Sequence, residues 1–410
     1  MLTSLRIAGV LFGLAFLAPA SAEAATYEAR YRAQVLPEAG KVHVELKLTG
    51  TKLPSKIVLR IDPHRHLSFA STDPFEVKDS QVTWRPRGKF SRLSYDFVVN
   101  HERSPGRYDS LMTKDWALFR GDKLVPRATV TSVKGLEART TLEFVLPETW
   151  TAITPYAPAS NGALPIDDPK RRFDRPTGWM LVGKLGNRGE RIAGIQTIVA
   201  APAGDSVRRQ DMLSFLNWNL PQLANVFATF PKRLLIVSAG DPMWRGGLSG
   251  PGSLFLHADR PLISENRTST LLHELVHVAM GIRGDHESDW IVEGFAEFYS
   301  IETLRRSGGI SKQRYEEAMQ RLGDWGKRTP DLFAKRSSGA QTARAVVVLK
   351  EADQEIRKLT QGRASLDDVA GELAKRRGEV SLELLQSIAK QVAGKPLQSL
   401  ERQRLSGVHD

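Results

Sequence analysis

The sequence predicts a multidomain α+β protein: an N-terminal antiparallel β-sandwich, a mixed central part built around a His-Glu-x-x-His helix, and a helical C-terminal region. Three observations carry that expectation. Short stretches of period-two apolar alternation fill residues 26 to about 155, helical spacing takes over after residue 206, and everything beyond Gly309 reads helical. The 410 residues suffice for two or three domains and a sizeable core.

The opening "MLTSLRIAGVLFGLAFLAPASAEAA" has one early arginine, an apolar run from Ile7 to Leu17 and small residues at Ala20-Ser21-Ala22. That is the layout of a cleavable signal peptide over residues 1–25, with cleavage expected after Ala22 or Ala24. The expected location is periplasmic or secreted. No later run approaches the 18 or so apolar residues of a membrane span. The chain has no cysteine, so disulfides are excluded and any metal must be held by His, Asp or Glu. The formal charge of +12 suits electrostatic contact with an anionic envelope surface, against the plainer reading of scattered surface charge. No basic block interleaved with aromatics suggests nucleic acid.

"KVHVELKLTG", "KIVLRID", "QVTWRP", "LSYDFVVN" and "TTLEFVLP" alternate and are bounded by turn residues, the pattern of strands in a sandwich over residues 26–172. "GWMLVGKLG" and "IAGIQTIVAA" add strands to a second domain, residues 173–309. There "SVRRQDMLSFLNWNLPQLANVFATFP" is helical, with Pro221 expected to kink or divide it. "KRLLIVSAG" reads as a buried strand, and "GGLSGPGSLFLHAD" as a glycine-rich loop leading into another. In residues 310–410, Ser311, Ser365 and Ser381 have the character of N-caps, with Asp368 completing a capping box, and Gly362, Gly378 and Gly394 stand at the matching stops.

The chemistry concentrates in Leu271 to Phe298, "LLHELVHVAMGIRGDHESDWIVEGFAEF". On a helix His273 and His277 are one turn apart and project from one face, fit to take two corners of a tetrahedral zinc. Glu274, beside them, is the natural base for a water that the metal has acidified. Gly281 and Gly284 can end this helix, and a short connection makes the next one its antiparallel neighbour. Glu293, in the second turn of that neighbour, can then point back as third ligand, with Asp285 and His286 as rivals. Glu297, a turn further, is placed to orient a ligand imidazole. The plain alternative is a helix that merely carries two histidines.

With those residues in view, the chain resembles the gluzincin metallopeptidases, particularly the aminopeptidase N and glycyl aminopeptidase families. "HELVH" followed by "WIVEGFAEFY" is similar to their zinc signature. The resemblance implies a thermolysin-like catalytic domain, one Zn²⁺ per chain held by His273, His277 and Glu293, Glu274 as catalytic base and a peptide substrate. "FDRPTGWMLVGKLG" and "VVVLKEADQEIRKLTQGRASLDDVAGEL" extend the likeness over most of the chain. Three departures stand out. The interval between His277 and Glu293 is short for the family. The family's Gly-x-Met-Glu-Asn motif, which holds a free amino terminus, is replaced by "GGLSGPGSLFLH". The transition-state tyrosine would fall near Gln341 or Thr342, and no tyrosine lies between residues 316 and 410. Tyr315, His286 and Arg344 are candidates to replace it, although packing, loop and salt-bridge roles are the plainer readings. His257, at the end of a strand expected to border the cleft, is a candidate substrate contact or a structural histidine.

Two functions follow as expectations: an exported zinc metallopeptidase, exo- or endo-acting, or a catalytically weakened, zinc-containing envelope binding or scaffold protein.

Overall fold

The computed structural model describes residues 25–166 and 173–407. Apart from Ala25, the expected signal segment lies outside them. Alternation governs the N-terminal part. Thr26–Leu36, Lys41–Thr49 and Phe90–Val98 bury every second residue, and neighbours pair antiparallel, with Leu46 opposite both Tyr31 and Leu93. They belong to a six-stranded sheet that also contains His66–Ser71, Glu137–Val145 and Leu164–Ile166. One join departs from the antiparallel expectation: Thr26–Leu36 and Glu137–Val145 run parallel. Such a pair needs a long crossover, and local alternation cannot announce it. A four-stranded sheet and a five-stranded sheet complete this part. Tyr31, Trp84, Tyr95, Phe97 and Phe119 are buried between them, each adding about 1.5–3 kcal/mol of hydrophobic stabilisation.

The five-stranded sheet crosses the expected divide after residue 172. Trp179–Gly183 pairs with Trp116–Arg120, so residues from both sides of that divide share one set of backbone hydrogen bonds. A second five-stranded sheet follows, in the order Leu185–Ile192, Ile195–Pro202, Arg233–Ala239, Ser253–His257, Gly247–Gly250. Its three central strands are parallel and almost wholly apolar, as strands buried on both faces must be.

Helix α1 (Arg209–Val226) runs unbroken through Pro221, against the expected division. The proline removes one hydrogen bond, to the carbonyl of Asn217, while Met212, Leu216, Leu220 and Leu223 are buried on either side of it. Then come α2 (Thr270–Met280), α3 (Asp289–Arg306), α4 (Lys312–Gly326), α5 (Gly339–Thr360), α6 (Leu366–Arg376) and α7 (Leu382–Ala393). Ser311, Ser365 and Ser381 cap α4, α6 and α7, and Asp368 closes the capping box of Ser365. Gly394 ends α7 in the left-handed region; at the two earlier stops the left-handed turn begins one residue ahead of the glycine, at Gln361 and Arg377.

Candidate metal centre

Helix α2 is apolar nearly all round: Leu271, Leu272, Leu275, Val276 and Ala279 are fully buried. Ser269 caps its start by accepting from the Leu272 N–H, and Gly281 ends it at φ 57°. Beyond Thr270 at its start, His273, Glu274 and His277 are the polar exceptions on this core helix; the two imidazoles face Glu293 of α3, and Glu274 meets the strand Gly247–Gly250. Between the two helices the chain makes a short strand, Ile282–Gly284, which pairs in parallel with Gly378–Val380. That pairing pins the trimmed connection from far along the chain. Glycine at position 294 lets α3 approach α5, because a Cβ there would stand 2.7 Å from that of Ala345. Glu293, its neighbour, is held against α2 by this packing.

The three side chains converge. His273 Nε2 and His277 Nε2 are 3.1 Å apart, His273 Nε2 lies 3.3 Å from Glu293 Oε2, and His277 Nε2 lies 3.6 Å from Glu293 Oε1. A tetrahedral zinc with ligand bonds near 2.05 Å needs donor atoms about 3.3 Å apart, and these separations, the last two to different oxygens of Glu293, are of that size. Among the described residues this is the one group of three such side chains fit to hold a metal ion. His273 Nδ1 is 3.0 Å from Glu297 Oε2, so its Nδ1–H donates there and the ring is turned with Nε2 towards the centre.

Electrostatics point the same way. Burial, together with the charge on His273, pushes His277 down to about 4. Burial also opposes charge on His273, but hydrogen bonds to Glu293 and Glu297 overcome it and hold its pKa above the usual value. Burial likewise opposes the Glu293 carboxylate, and the two rings outweigh it, keeping its pKa low. With Glu274 and Glu297 alongside, the cluster is anionic and suits a divalent cation.

Glu274 is 8% exposed, and burial raises its pKa, with Glu293 adding to the rise against the opposing charge of His273. Ser249 hydrogen-bonds this carboxylate through both its side chain and its backbone. The sequence reading missed Ser249 because "GGLSG" shows no alternation. Gly247–Gly250 is nevertheless a strand, the sheet edge, paired antiparallel with Ser253–His257; the glycine-rich loop expected there is corrected. Gly247 has to lack a side chain, since a Cβ would lie 2.5 Å from Glu274 Cγ. From behind, Arg120 Nη1 donates to Ser249 O at 3.2 Å and Trp179 Nε1 to Leu248 O at 2.8 Å. The N-terminal strands thereby hold the segment that holds Glu274.

The remaining candidates lie elsewhere. His257 is 1% exposed on an interior strand, with Nδ1 accepting from the Asp259 N–H and Nε2 3.4 Å from the Asp241 carboxylate; it is a structural histidine, not a substrate contact. The His286 side chain is 82% exposed and turned to Glu287, and Asp285 accepts from the Glu287 N–H to shape the loop, so neither rival ligand reaches the triad. Tyr315 packs under Arg305 and Lys350 beside Glu302, two turns and more along α3 from Glu293. Arg344 donates to the carbonyls of Thr329, Leu405 and Arg404. Gln341 closes a capping box with Ser338, and the Thr342 hydroxyl donates to Ser338 O.

Strand order, the paired helices and the triad between them can be set beside solved structures. An aminopeptidase N family protein from Idiomarina loihiensis superposes with a TM-score of 0.65 at 14% identity, over 85% of this chain and 70% of that one. An M1 zinc metallopeptidase from Deinococcus radiodurans gives 0.57 at 17% identity, over 94% and 93%. Legionella pneumophila aminopeptidase A in complex with aspartic acid gives 0.57 at 12%, over 94% and 50%. The chain has the fold of the M1 zinc metallopeptidases. No family model matches it, and no curated protein matches it in sequence. Within that M1-like frame the likeness is one of architecture, and the chemistry must be argued from the side chains above.

Proposed function

We propose that this chain is an exported zinc metallopeptidase that hydrolyses peptide bonds with Glu274 as general base and one zinc ion held by His273, His277 and Glu293. The observation that carries the reading is the convergence of His273, His277 and Glu293, with contacts of 3.1, 3.3 and 3.6 Å, beside the buried carboxylate of Glu274. When bound, zinc supplies a Lewis acid for the scissile carbonyl and lowers the pKa of water to roughly 7. Glu274 accepts the proton of the attacking water and returns it to the amide nitrogen as the C–N bond breaks, and burial, by raising its pKa, strengthens it as a base. Ser249 fixes the direction in which that carboxylate points. Its N–H serves Glu274 and its C=O serves Arg120, so Gly247, two residues away and facing the same way, is left to pair with an extended substrate. A Deinococcus radiodurans M1 metallopeptidase mutant of this fold was solved with a Tyr-Ser-Ala substrate, which supports a peptide in the cleft. Export is supported by the N-terminal 25 residues, and no described helix is long and apolar enough to cross a membrane. A formal charge of +12 supports contact with an anionic envelope surface.

The test is a mass-spectrometric digest of a peptide library by the zinc-loaded protein, with free and acetylated amino termini to separate exo- from endo-action. Glu274→Gln should lower turnover by about 10²-fold or more while zinc stoichiometry stays at one. Equal turnover by the mutant removes Glu274 as base. The second reading, a zinc-containing binding or scaffold protein, is favoured by one observation: Gln341, Thr342, Tyr315 and Arg344 are all engaged elsewhere. Losing one oxyanion donor costs about 10²–10³ in rate. Peptide binding without cleavage in that same digest would decide for it.

A further inference from the structure

Away from the metal centre, the N-terminal sheets enclose a cavity of about 440 Å³. Its lining carries six fixed cations, Arg60, Arg65, Arg120, Lys123, Arg127 and Arg175, against three carboxylates, an excess of three positive charges with histidines neutral. The carboxylates are already engaged. Asp122 accepts from Arg120 Nε at 3.0 Å, Asp109 faces His101 Nδ1 at 2.6 Å, and Asp62 accepts the His64 N–H at 3.0 Å.

The cations are less well served. Arg65 is 6% exposed, yet its guanidinium donates only to neutral acceptors: the carbonyls of Val98 and Val99 at 3.0 and 2.8 Å, and Ser110 Oγ at 3.1 Å. Its Nη1 has no hydrogen-bond partner among the described residues, and Asp109 and Asp62 act on its charge only from beyond ion-pair contact. A buried charge without a counterion in contact costs stability. Independently, Arg60 and Arg127 stand directly opposite each other on adjacent strands, both exposed and neither in an ion pair among the described residues. Like charges so placed also cost stability. Neither arrangement helps the fold, and both are relieved by one multiply charged anion lying between floor and rim.

We infer that this cavity binds a phosphorylated ligand, gripping its phosphomonoester or pyrophosphate group between Arg65 at the floor and Arg60 and Arg127 at the rim. Guanidinium forks match phosphate oxygens in pairs, and an excess of three charges suits a doubly or triply charged group better than a lone carboxylate. The volume leaves room for an attached sugar or glycerol unit. That group can come from a free phosphorylated molecule or from an envelope lipid head group, through the same contacts.

The experiment is calorimetric titration of the zinc-loaded full chain with inorganic pyrophosphate, with no peptide present, so it stands apart from the peptidase reading. One saturable site per chain is expected. The double variant Arg60→Ala/Arg127→Ala should weaken binding by about tenfold or more. Its ligand-free melting temperature should equal or exceed that of the wild type, because a repulsive pair is gone. Cosedimentation with phosphatidic acid vesicles, displaced by pyrophosphate, would assign the lipid source; pyrophosphate binding without cosedimentation would assign a free ligand. No saturable heat in the wild type, or undiminished affinity in the double variant, would overturn the proposal.

Discussion

At the scale of single residues, positions were legible wherever spacing alone fixes geometry. Positions 273 and 277 share a helix face by periodicity, and Glu293 could be placed because the connection is too short to put its helix anywhere else. Ser249 was illegible, since nothing in a glycine-flanked serine says that it will meet a carboxylate from another element. His257 was legible only as an alternative between substrate contact and structural histidine, because the sequence does not say that the strand it ends is interior and that the sheet edge is the neighbouring Gly247–Gly250. Glu297 tests the residue scale. Its Oε2 accepts the Nδ1–H of His273 at 3.0 Å, fixing the ring and making Nε2 a better donor. Glu297→Ala should therefore weaken zinc about 10- to 100-fold in competition with a chromogenic chelator, with helix content unchanged in circular dichroism. Unchanged zinc affinity would mean that the contact does nothing for the metal.

At the scale of elements, helix ends were readable because caps are local chemistry: Ser311, Ser365 and Ser381 each accept a backbone N–H within their own first turn. The short parallel pair Ile282–Gly284 and Gly378–Val380 was not readable, because three residues show no period. Nor was the continuity of α1, where burial on both sides outweighs one missing hydrogen bond at Pro221. What sets Glu293 on α3 is the close approach of α5, and glycine makes that approach. A Cβ at position 294 would lie 2.7 Å from Ala345 Cβ and 3.3 Å from Leu349 Cδ1, both on a buried face. Gly294→Val should cost about 2 kcal/mol in urea unfolding and lower zinc affinity together with stability. Adding Ala345→Gly should make the double variant less unstable than the sum of the two single changes, because the clash is shared. Strict additivity would show that the helices do not meet there.

At the scale of the whole molecule, the sheets are coupled across the chain. Arg120 and Trp179, on strands of the N-terminal five-stranded sheet, hold the edge segment that carries Ser249, so Glu274 is positioned from two halves of the sequence. Alternation predicted strands but not this partnership, because pairing partners lie far apart and period two says nothing of who sits next to whom. The same long-range packing buries His66, and that makes stability depend on pH. The ring packs against Tyr95 and Phe97, its Nε2–H donates to Lys123 O at 2.8 Å, and its Nδ1 lies 3.1 Å from Asp62 N and 3.2 Å from Asp62 O. Burial, with Arg65 adding to it, lowers its pKa from the ordinary value against the backbone hydrogen bonds that raise it. The unfolded chain titrates this group near 6.5. Between that pH and the lower folded value the unfolded state binds more protons, so stability is level above about 6.5, falls as the pH drops through this window, and levels again below the folded pKa as far as this group is concerned. His257 is buried neutral as well and acts in the same direction. His66→Gln should lose its hydrogen bonds at every pH, but the gap between variant and wild type in urea unfolding should narrow from pH 7.5 to pH 5. Carboxylates, common to both proteins, cancel in that difference. A gap of constant size would mean that His66 charges in place without penalty.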